Sequence, residues 1–558
     1  MAMNRRGLLA LLGAGAGAVA SPAAASFITV TYNHGVASGD PLQDRVVLWT
    51  RVTPVEPGLS VVAGEVKIAS DAAFTAVVKT VPVEASADRD WTIKVDVTGL
   101  KPGRDYFYRF QVDTMLSPVG RTRTLPAGPT KDVVLAVASC ALYPRGHFNA
   151  YGAIAKLERV DAVIHLGDYI YEYGGPGSYG DDTTVSASRP HDPPHECLTL
   201  ADYRRRHAQY KTDPQLQAAH LKAPWIVVWD DHEVCNDSWM GGAENHNPDK
   251  GEGDWATRKA AALKAYYEWM PIREPQSGRT VEMINRSFQF GDLASLMMVE
   301  TRLTARAQQL DYAEDLPMVD GKPDAAAFKA KWLDPARRLV GPDQLAWLAG
   351  ELQSSVAAGR TWQILGNQVV MGRVASPDFR AVLGDQKFGE LVAGLPAEYQ
   401  KPVVQLSALG AYGLPYNLDA WDGYPVDRER VLGACKAAGA HALVLAGDSH
   451  AFWANELHDA GGALVAAEFG ATGVTSPGVG DIIQGVPINQ GLEEKNPEVV
   501  FTDQSAKGYI LLTLTKAEAK AEFMTVSTIL SKDYTAGAMR TYTVTPVAGG
   551  GVSGLKAV

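Results

Sequence analysis

Beyond residue 130 the sequence consists of short, almost wholly apolar runs that alternate with segments of helical periodicity. Runs of this length predict β-strands that are buried on both faces, and the intervening segments, such as residues 201–210 and 255–270, predict helices that cover them. We therefore expect a layered α/β domain over residues 131–535. The apolar runs are residues 133–138, 162–166, 225–229, 293–299, 362–365, 443–446, 465–467, 509–514 and 523–529.

Residues 27–127 have a different pattern, in which alternating segments such as 46–49 and 91–97 are separated by turn residues roughly every ten positions. A Pro-Gly turn at residues 102–103 leads into a strand with alternating aromatic residues, much as in fibronectin type III domains. We predict an all-β fibronectin/Ig-like sandwich here. Residues 536–558 contain three consecutive glycines and are expected to form a loose C-terminal extension.

The first 25 residues predict an export signal. Arg5 and Arg6 precede an apolar stretch at residues 7–20, and three alanines at residues 23–25 fit a cleavage site. This stretch is too short to cross about 30 Å of hydrocarbon as a helix, so we expect a removed signal and no membrane span. The paired arginines favour export by the twin-arginine translocase to a periplasmic or extracellular location.

The charge balance limits the partners of the chain. It has 52 basic and 63 acidic residues, a net charge of -11, and no dense block of lysine and arginine. Stable complexes with nucleic acid or anionic lipid are therefore not expected. An anionic substrate would need a local positive charge, which a bound metal ion supplies in an acidic protein. We expect a monomer that acts on a small molecule.

The four cysteines are too few for a disulfide framework. Cys197 and Cys235 could pair in an exported protein or stay free, because nothing in their spacing decides between the two. Cys435 lies in an alanine-rich helical segment and is expected to be buried and inert. Cys140 differs from these because the pair Ser139-Cys140 follows an apolar run.

Polar clusters follow five of the apolar runs. Because ligands bind at the carboxyl ends of strands in α/β sheets, these clusters would converge if the strands are neighbours. Together they offer thiolate, phenolate, carboxylate, amide and imidazole groups, which predicts a metal site with room for two ions. The clusters are Ser139-Cys140, residues 167–171 (Gly-Asp-Tyr-Ile-Tyr), residues 230–233 (Asp-Asp-His-Glu), Gly366-Asn367 and residues 447–450 (Gly-Asp-Ser-His).

Each cluster also has a simpler interpretation. A single Gly-Asp after a strand is usually a turn, a lone cysteine is usually a small buried residue, and His191 and His195 are interpreted as loop residues. Five such clusters are hard to explain by turn chemistry alone. A purely structural metal site remains an alternative, although structural sites are usually closed by four ligands and this set offers more.

The order of these motifs resembles that of the metallophosphoesterases, the group that includes the calcineurin-like and purple acid phosphatases. More closely, the chain resembles the PhoD-type alkaline phosphatases over nearly its whole length. The residues that carry the resemblance are 35–41 (Gly-Val-Ala-Ser-Gly-Asp-Pro), Ser139-Cys140, 165–172 (His-Leu-Gly-Asp-Tyr-Ile-Tyr-Glu), 229–233 (Trp-Asp-Asp-His-Glu), 265–271 (Ala-Tyr-Tyr-Glu-Trp-Met-Pro), 365–368 (Leu-Gly-Asn-Gln) and 446–450 (Ala-Gly-Asp-Ser-His).

The resemblance implies a four-layer β-sandwich flanked by helices, and a ferric ion paired with one or two calcium ions. Thiolate and phenolate suit trivalent iron, whereas oxygen ligands suit calcium. Asp168 would bridge the two sites. Strand alternation would let only one of Asp230 and Asp231 face the metals, and we choose Asp231. The expected ligands are Cys140, Asp168, Tyr171, Asp231, Asn367, Asp448 and His450.

The resemblance also implies hydrolysis of phosphate esters by a secreted enzyme, through attack of a metal-activated hydroxide. His232 would donate a proton or hold a phosphate oxygen, and an arginine would clamp the substrate. Arg145, Arg302 and Arg306 are candidates, and we choose Arg302. A phosphodiesterase or phospholipase D-like hydrolase is the alternative with the same chemistry. A calcium-stabilised surface binding protein without catalysis is the alternative of another class.

Overall fold

The structure is a computed structural model, and it describes residues 28–558 except for residues 176, 178, 321, 396 and 484. The predicted export signal at residues 1–25 lies outside the described residues. Within the described part of the chain, no helix combines the length and the apolar character that a membrane crossing requires.

Each of the nine apolar runs overlaps a strand, whereas the strands Arg286–Phe290, Phe452–His458, Val499–Asp503 and Ala536–Val544 coincide with no predicted run. Numbered along the chain, the strands are β1 (Val30–Thr31), β2 (Val36–Gly39), β3 (Arg45–Arg51), β4 (Thr53–Pro54), β5 (Val61–Ala69), β6 (Val77–Ser86), β7 (Thr92–Thr98), β8 (Asp105–Val112), β9 (Met115–Leu116), β10 (Gly120–Arg123), β11 (Asp132–Ala138), β12 (Ala162–His165), β13 (Trp225–Val227), β14 (Arg286–Phe290), β15 (Ala294–Met298), β16 (Met318–Val319), β17 (Lys322–Pro323), β18 (Trp362–Gly366), β19 (Ala442–Ala446), β20 (Phe452–His458), β21 (Leu464–Gly470), β22 (Val499–Asp503), β23 (Gly508–Thr515), β24 (Ala519–Val526), β25 (Ala536–Val544) and β26 (Lys556–Ala557).

Six of the helices that the structure describes follow a residue whose side chain accepts a hydrogen bond from the first turn. Thr199 forms such a cap for α2, Asp213 for α3 and Asp254 for α4. The helices are α1 (Asn149–Lys156), α2 (Leu200–Lys211), α3 (Pro214–Lys222), α4 (Trp255–Trp269), α5 (Tyr312–Asp315), α6 (Ala325–Trp332), α7 (Pro342–Ala357), α8 (Phe379–Leu383), α9 (Asp385–Gly394), α10 (Ala397–Ala411), α11 (Pro425–Ala438), α12 (Val479–Ile482) and α13 (Ile488–Lys495).

Two large mixed sheets form the centre of the molecule. One has ten strands in the order β26-β25-β24-β23-β11-β12-β13-β2-β3-β7, and the other has seven in the order β14-β15-β18-β19-β21-β20-β22. Their facing side chains make one core, in which the Phe523 ring lies 5.2 Å from that of Phe452 and 6.3 Å from that of Phe469.

Helices cover the outer faces of both sheets. Leu348 of α7 and Val431 of α11 pack against the seven-stranded sheet, while Ile154 of α1 and Leu216 of α3 lie in the core beside the ten-stranded sheet. The predicted four-layer α/β sandwich is therefore present.

The N-terminal sandwich shares a sheet with the rest of the molecule. β5, β6, β8, β9 and β10 form its outer sheet, but β2, β3 and β7 extend the ten-stranded sheet through β13. Gly39 makes this junction possible, because a Cβ there would lie only 2.7 Å from the Trp225 carbonyl oxygen and 2.3 Å from that of Pro271. The sandwich predicted over residues 27–127 thus has a second sheet that continues into the neighbouring domain.

The C-terminal residues differ from the prediction of a loose extension at 536–558. β25 pairs with β24 along its length, and β26 pairs with β25 at the edge of the ten-stranded sheet. Val544 and Val552 are buried, and the Gly551 N–H donates to the Ala440 carbonyl at 2.9 Å. The glycine triplet therefore forms a hydrogen-bonded turn within the sheet region.

All four cysteines are free and buried. This decides the question that the spacing of Cys197 and Cys235 leaves open. Burial raises the pKa of the Cys197 and Cys435 thiols to about 12, so both are neutral at physiological pH.

Candidate metal centre

The polar clusters meet at one edge of the sandwich, between the carboxyl ends of the two large sheets. Cys140, Asp168 and Asp230 follow the neighbouring parallel strands β11, β12 and β13 of one sheet. Asn367 and Asp448 follow the neighbouring parallel strands β18 and β19 of the other. The convergence that the strand ends predict is therefore present.

Four of the predicted ligands have left-handed backbone conformations. The φ angles are 63° for Cys140, 55° for Asp168, 61° for Asp448 and 56° for His450. This region costs non-glycine residues about 1–3 kcal/mol each and persists only where surrounding structure holds it. Strained residues of this kind cluster at functional sites.

Glycines allow the turns to approach one another. A Cβ on Gly167 would lie 2.3 Å from the Cβ of Asp230, and Gly167 itself has a φ of +106°. A Cβ on Gly447 would lie 2.4 Å from the Ser139 hydroxyl. The glycine of each Gly-Asp pair is therefore required by the close packing of adjacent turns.

Glu233 joins the turns that follow β12 and β13. Its carboxylate accepts hydrogen bonds from the backbone N–H groups of Asp168 at 3.0 Å and Asp230 at 2.7 Å, and from that of Tyr169. Burial raises the pKa of Glu233 to about 7 although these donors act to lower it. The Glu of the Asp-His-Glu motif thus fixes the positions of two ligand-bearing turns.

The predicted iron ligands form one group. Donor atoms of Cys140, Asp168 and His450 lie within 4.8 Å of one another. The Tyr171 hydroxyl is 2.9 Å from Asp168 Oδ2 and 3.1 Å from His450 Nε2. Burial and the neighbouring Asp168 carboxylate raise the pKa of the Cys140 thiol well above its ordinary value, so a cation is needed to hold its thiolate.

The tautomer of His450 fits metal binding. Its Nδ1 lies 2.9 Å from the carbonyl oxygen of Pro477, which can only accept a hydrogen bond, so Nδ1 carries the proton. Nε2 is then the unprotonated nitrogen, and it faces Tyr171 and Asp168. Burial lowers the pKa of His450 to about 3, which keeps the ring neutral.

Carboxylates form a second group beside the first. Donor atoms of Asp230, Asp231 and Asp448 lie within 4.8 Å of one another, and so do those of Asp168, Asp231 and His232. Asp168 Oδ1, Asp230 Oδ2 and Asp231 Oδ1 are buried and have no hydrogen-bond partner among the described residues. Such orphaned carboxylate oxygens are strongly unfavourable without a cation, so the donor set fits the predicted metals.

Both Asp230 and Asp231 reach the carboxylate group, in contrast to the expectation that only one could. Strand β13 ends at Val227, two residues earlier than the apolar run predicts, so strand alternation does not apply to the following turn. Asp231 Oδ2 accepts the Asp237 N–H at 2.6 Å, while Oδ1 remains free of hydrogen bonds.

Arg302 lies fully buried among acids. Its guanidinium contacts Asp230 and donates to Asp419 at 2.7 Å and to Asp448 at 3.1 Å. The other candidate arginines form their ion pairs with acids that are not predicted ligands, Arg306 with Asp419 and Arg145 with Asp182. Of the three arginines predicted to clamp the substrate, Arg302 is therefore the one that contacts predicted ligands. Its N–H groups are engaged by carboxylates.

His232 is held by a carboxylate that the sequence analysis did not single out. Its Nδ1 lies 2.7 Å from Glu172 Oε2, and Glu172 Oε1 accepts the Asn236 N–H at 2.7 Å. Burial acts to lower the pKa of His232, but the carboxylates of Glu172, Asp231 and Asp168 outweigh it and raise the pKa well above its usual value. In the sequence, the signal that could have pointed to Glu172 is its position directly after the predicted ligand Tyr171.

Asn367 makes hydrogen bonds away from the carboxylates. Its side-chain oxygen accepts from Trp421 Nε1 at 3.0 Å, and its amide nitrogen donates to the Val369 carbonyl. Ser476 is a contact that sequence reasoning missed, at 2.6 Å from the Tyr171 hydroxyl. No local motif marks Ser476, which lies 305 residues from Tyr171 along the chain.

Two tyrosines from the loop that precedes α2 lie beside the centre. The Tyr173 ring lies 5.0 Å from the His232 ring, and the Tyr179 hydroxyl is 3.4 Å from His450 Nδ1. His191 is buried in the same loop, with Nδ1 3.0 Å from the Gly174 carbonyl, and His195 is exposed. Both histidines lie in the loop, as the sequence analysis interprets them.

Comparison with known proteins identifies the family of the chain. Residues 135–523 match the family model described as PhoD-like phosphatase, and residues 18–126 match its N-terminal domain. The chain is 36% identical over 524 residues to alkaline phosphatase D of Bacillus subtilis (strain 168), covering 91% of this chain and 79% of that protein.

A solved structure titled "Structure of PhoD" superposes with a TM-score of 0.76 at 31% identity, covering 96% of this chain and 93% of the other. The expectation of a non-catalytic binding protein is set aside, because the matched family is one of phosphatases. The chain belongs to the PhoD-like phosphatase family and is a phosphoric ester hydrolase.

Proposed function

We propose that the chain is a secreted, metal-dependent alkaline phosphatase that hydrolyses phosphate monoesters, and diesters as well, to release inorganic phosphate. The observation that carries this proposal is the buried group of orphaned carboxylate oxygens next to a thiol, a phenol and an imidazole. A non-catalytic calcium site has no use for the thiol. The name of the Bacillus subtilis relative supports the alkaline phosphatase activity.

Ferric iron would be held by Cys140, Tyr171, His450 and Asp168, because thiolate and phenolate are strong anionic donors. One or two calcium ions would be held by Asp168, Asp231 and Asp448, with Asp230 as a further ligand. Asn367 would join them through the second lone pair of its side-chain oxygen, because the first accepts from Trp421 Nε1. Bound metals supply positive charge for the phosphoryl oxygens and lower the pKa of water.

The residues of the chain then supply orientation and a proton. Glu172 holds His232 through Nδ1, which leaves Nε2 to donate a proton to the departing oxygen or to bind a phosphoryl oxygen. The raised pKa of His232 keeps that proton at neutral pH. Arg302 balances the negative charge of Asp230 and Asp448. With metals bound to those carboxylates, its guanidinium would be available to contact the phosphate.

Residues 1–25 support export through the twin-arginine route to the periplasm or the extracellular space, since Arg5 and Arg6 precede a short apolar segment. We propose a monomer. Expression of the full chain, followed by fractionation and determination of the N-terminus, tests the cleavage and the location. A chain that keeps its first 25 residues in the cytoplasm would contradict both.

The activity is tested on protein purified without chelators. Metal analysis should find iron and calcium, a visible absorption band should mark ferric phenolate or thiolate, and p-nitrophenyl phosphate should be hydrolysed. Asp168→Asn should abolish turnover and the band together. Absence of both metals, or unchanged turnover in the variant, would overturn the proposal.

The preference between monoesters and diesters is a separate question. The ratio of rates on p-nitrophenyl phosphate and bis-p-nitrophenyl phosphate separates a phosphatase from a phosphodiesterase or a phospholipase D-like enzyme. A rate on the diester that greatly exceeds the rate on the monoester would assign the alternative.

A further inference from the structure

Two serine hydroxyls lie within the group of predicted iron ligands, and the proposed reaction gives them no role. The Ser139 hydroxyl is hydrogen-bonded to Cys140 Sγ, and the Ser476 hydroxyl lies 2.6 Å from the Tyr171 hydroxyl. Both serine side chains are fully buried. Each of the two ligands that would bind iron as an anion, the thiolate and the phenolate, therefore has one serine hydroxyl beside it.

The backbone fixes the place of both serines. The segment 471–476, which follows β21, runs alongside the turn that follows β11. Gly473 forms a β-bridge with Ser139, and the Val474 N–H donates to the Ser139 carbonyl at 3.0 Å. Gly447 leaves room for the Ser139 hydroxyl, because a Cβ on Gly447 would lie 2.4 Å from it. The two hydroxyls thus belong to one hydrogen-bonded unit that joins the two large sheets.

The Ser476 hydroxyl has a proton to spare for Tyr171. Its other neighbour is the Cys140 carbonyl oxygen, at 2.9 Å. That oxygen already accepts the backbone N–H groups of Thr475 and Ser476, each at 3.3 Å. Two backbone donors match the two lone pairs of a carbonyl oxygen, so the hydroxyl is free to turn toward the phenol oxygen.

The other neighbours of the Tyr171 oxygen cannot donate to a phenolate. Asp168 Oδ2 lies at 2.9 Å and His450 Nε2, which carries no proton, lies at 3.1 Å. Both can only accept hydrogen bonds, as can the phenolate itself. Within the described part of the chain, the Ser476 hydroxyl is therefore the one group at hydrogen-bond distance that can donate to the phenolate.

The Cys140 thiolate is in the same position. A thiolate accepts hydrogen bonds and cannot donate them, so Ser139 must be the donor of their hydrogen bond once the metal has bound. The Ser139 hydroxyl makes no other hydrogen bond among the residues that the structure describes. Since it is fully buried, bulk water does not compete for it.

We propose that Ser139 and Ser476 are positioning residues that donate hydrogen bonds to the Cys140 thiolate and the Tyr171 phenolate, and so reduce the negative charge that these ligands pass to iron. The proposal rests on the metal-dependent function proposed above and adds two residues that tune its iron site. Hydrogen bonds to anionic ligands raise the reduction potential of a bound metal and leave more positive charge on it.

Ser139→Ala and Ser476→Ala test the two hydrogen bonds in protein loaded with iron and calcium. Without its donor, the filled orbital of the thiolate or phenolate lies higher in energy, so the visible charge-transfer band should move to longer wavelength. The reduction potential of the iron should fall in both variants, and the double variant should show the larger shifts. A band and a potential that stay at the wild-type values in both single variants would overturn the proposal, and an unchanged single variant removes that serine from it.

The neighbouring Thr475 provides the matched control. Its buried hydroxyl lies in the same segment but donates to the Leu142 carbonyl at 2.8 Å and forms no hydrogen bond with a predicted ligand. Thr475→Val should therefore keep the wild-type band and potential, and Ser476→Thr, which retains a hydroxyl, should lie closer to the wild type than Ser476→Ala. A shift in Thr475→Val as large as that in Ser476→Ala would show a general disturbance of the segment and would refute the specific role of Ser476.

The two proposals fail in different ways. If the wild type hydrolyses p-nitrophenyl phosphate and has the visible band, but the alanine variants keep its position, the phosphatase function stands and the roles of the serines fall. If the wild type binds no iron and has no band, the metal-dependent function itself is wrong.

Discussion

At the scale of single residues, the centre depends on side chains that hold the ligands as much as on the ligands. Glu233 fixes two turns through backbone N–H groups, and Glu172 fixes His232 through its ring nitrogen. Partners of this kind set the orientation and basicity of the groups they contact, and their loss typically costs 10–100-fold in activity or metal affinity.

Glu172→Gln tests the hold on His232. The amide keeps the shape but removes the charge that raises the pKa of His232, so that pKa should fall. If His232 donates a proton, kcat should drop about 10–100-fold and the alkaline limb of the pH profile should move to lower pH. Steady-state kinetics with p-nitrophenyl phosphate measures both. A profile that keeps its wild-type limbs would show that Glu172 does not act through His232.

Gly167→Ala tests the close approach of two turns. The added Cβ would lie 2.3 Å from Asp230, at a φ of +106°, so we expect a loss of at least about 2 kcal/mol in the free energy of unfolding and weakened metal binding. Gly359→Ala is the matched control, because Gly359 also has a positive φ, +72°, but open space around it, and should lose only about 1 kcal/mol. Denaturant unfolding compares them. Equal losses would contradict the steric argument.

At the scale of elements, the strands that coincide with apolar runs were predictable because such a run has few alternatives in a layered fold. β14, β20, β22 and β25 coincide with no run and were not predicted. The turns after the strands were predictable only in part. Asp230 and Asp231 both face the centre because β13 is shorter than its apolar run, and residue pattern alone does not show where pairing stops. Contacts such as that of Ser476 with Tyr171 join distant segments and leave no local signal.

The C-terminal residue of α2 makes a prediction about pH. Lys211 is buried against Trp49 and Tyr169, and burial lowers its pKa from 10.5 to about 7. The unfolded lysine therefore binds more protons than the folded one between these two values, so the free energy of unfolding should rise with pH by up to about 1 kcal/mol per unit there. Denaturant unfolding at a series of pH values should therefore show that the free energy of unfolding rises more with pH in the wild type than in Lys211→Met. Parallel curves for the two proteins would contradict a neutral buried lysine.

At the scale of the whole molecule, the metals and the fold stabilise each other. The orphaned oxygens of Asp168, Asp230 and Asp231 lie between the two large sheets, so an empty centre keeps like charges buried across their junction. The N-terminal sandwich is continuous with the ten-stranded sheet through the pairing of β2 with β13. That continuity was not predictable, because it rests on one short pairing between residues 186 positions apart, Gly39 and Trp225.

Metal removal should therefore lower the melting temperature of the entire molecule. A ligand present at 100 times its Kd contributes about 2.7 kcal/mol, so chelation should lower Tm by several degrees and added calcium with iron should restore it. Calorimetry of the loaded, chelated and reloaded protein gives the measurement, and Asp168→Asn should show a much smaller response. An unchanged Tm on chelation would contradict metal binding between the sheets.

The order of the ten-stranded sheet has a consequence for biosynthesis. β11, which ends just before Ser139 and Cys140, pairs with β12 on one side and on the other with β23, which begins only at Gly508. Strands from both ends of the chain thus flank the central ones, and a nascent chain that stops before Gly508 lacks β23, one of the two neighbours of β11. Nearly the complete polypeptide must therefore be synthesised before β11 has both of its neighbouring strands. Interrupted translation products should accordingly be degraded by proteases and should not be partly active enzymes.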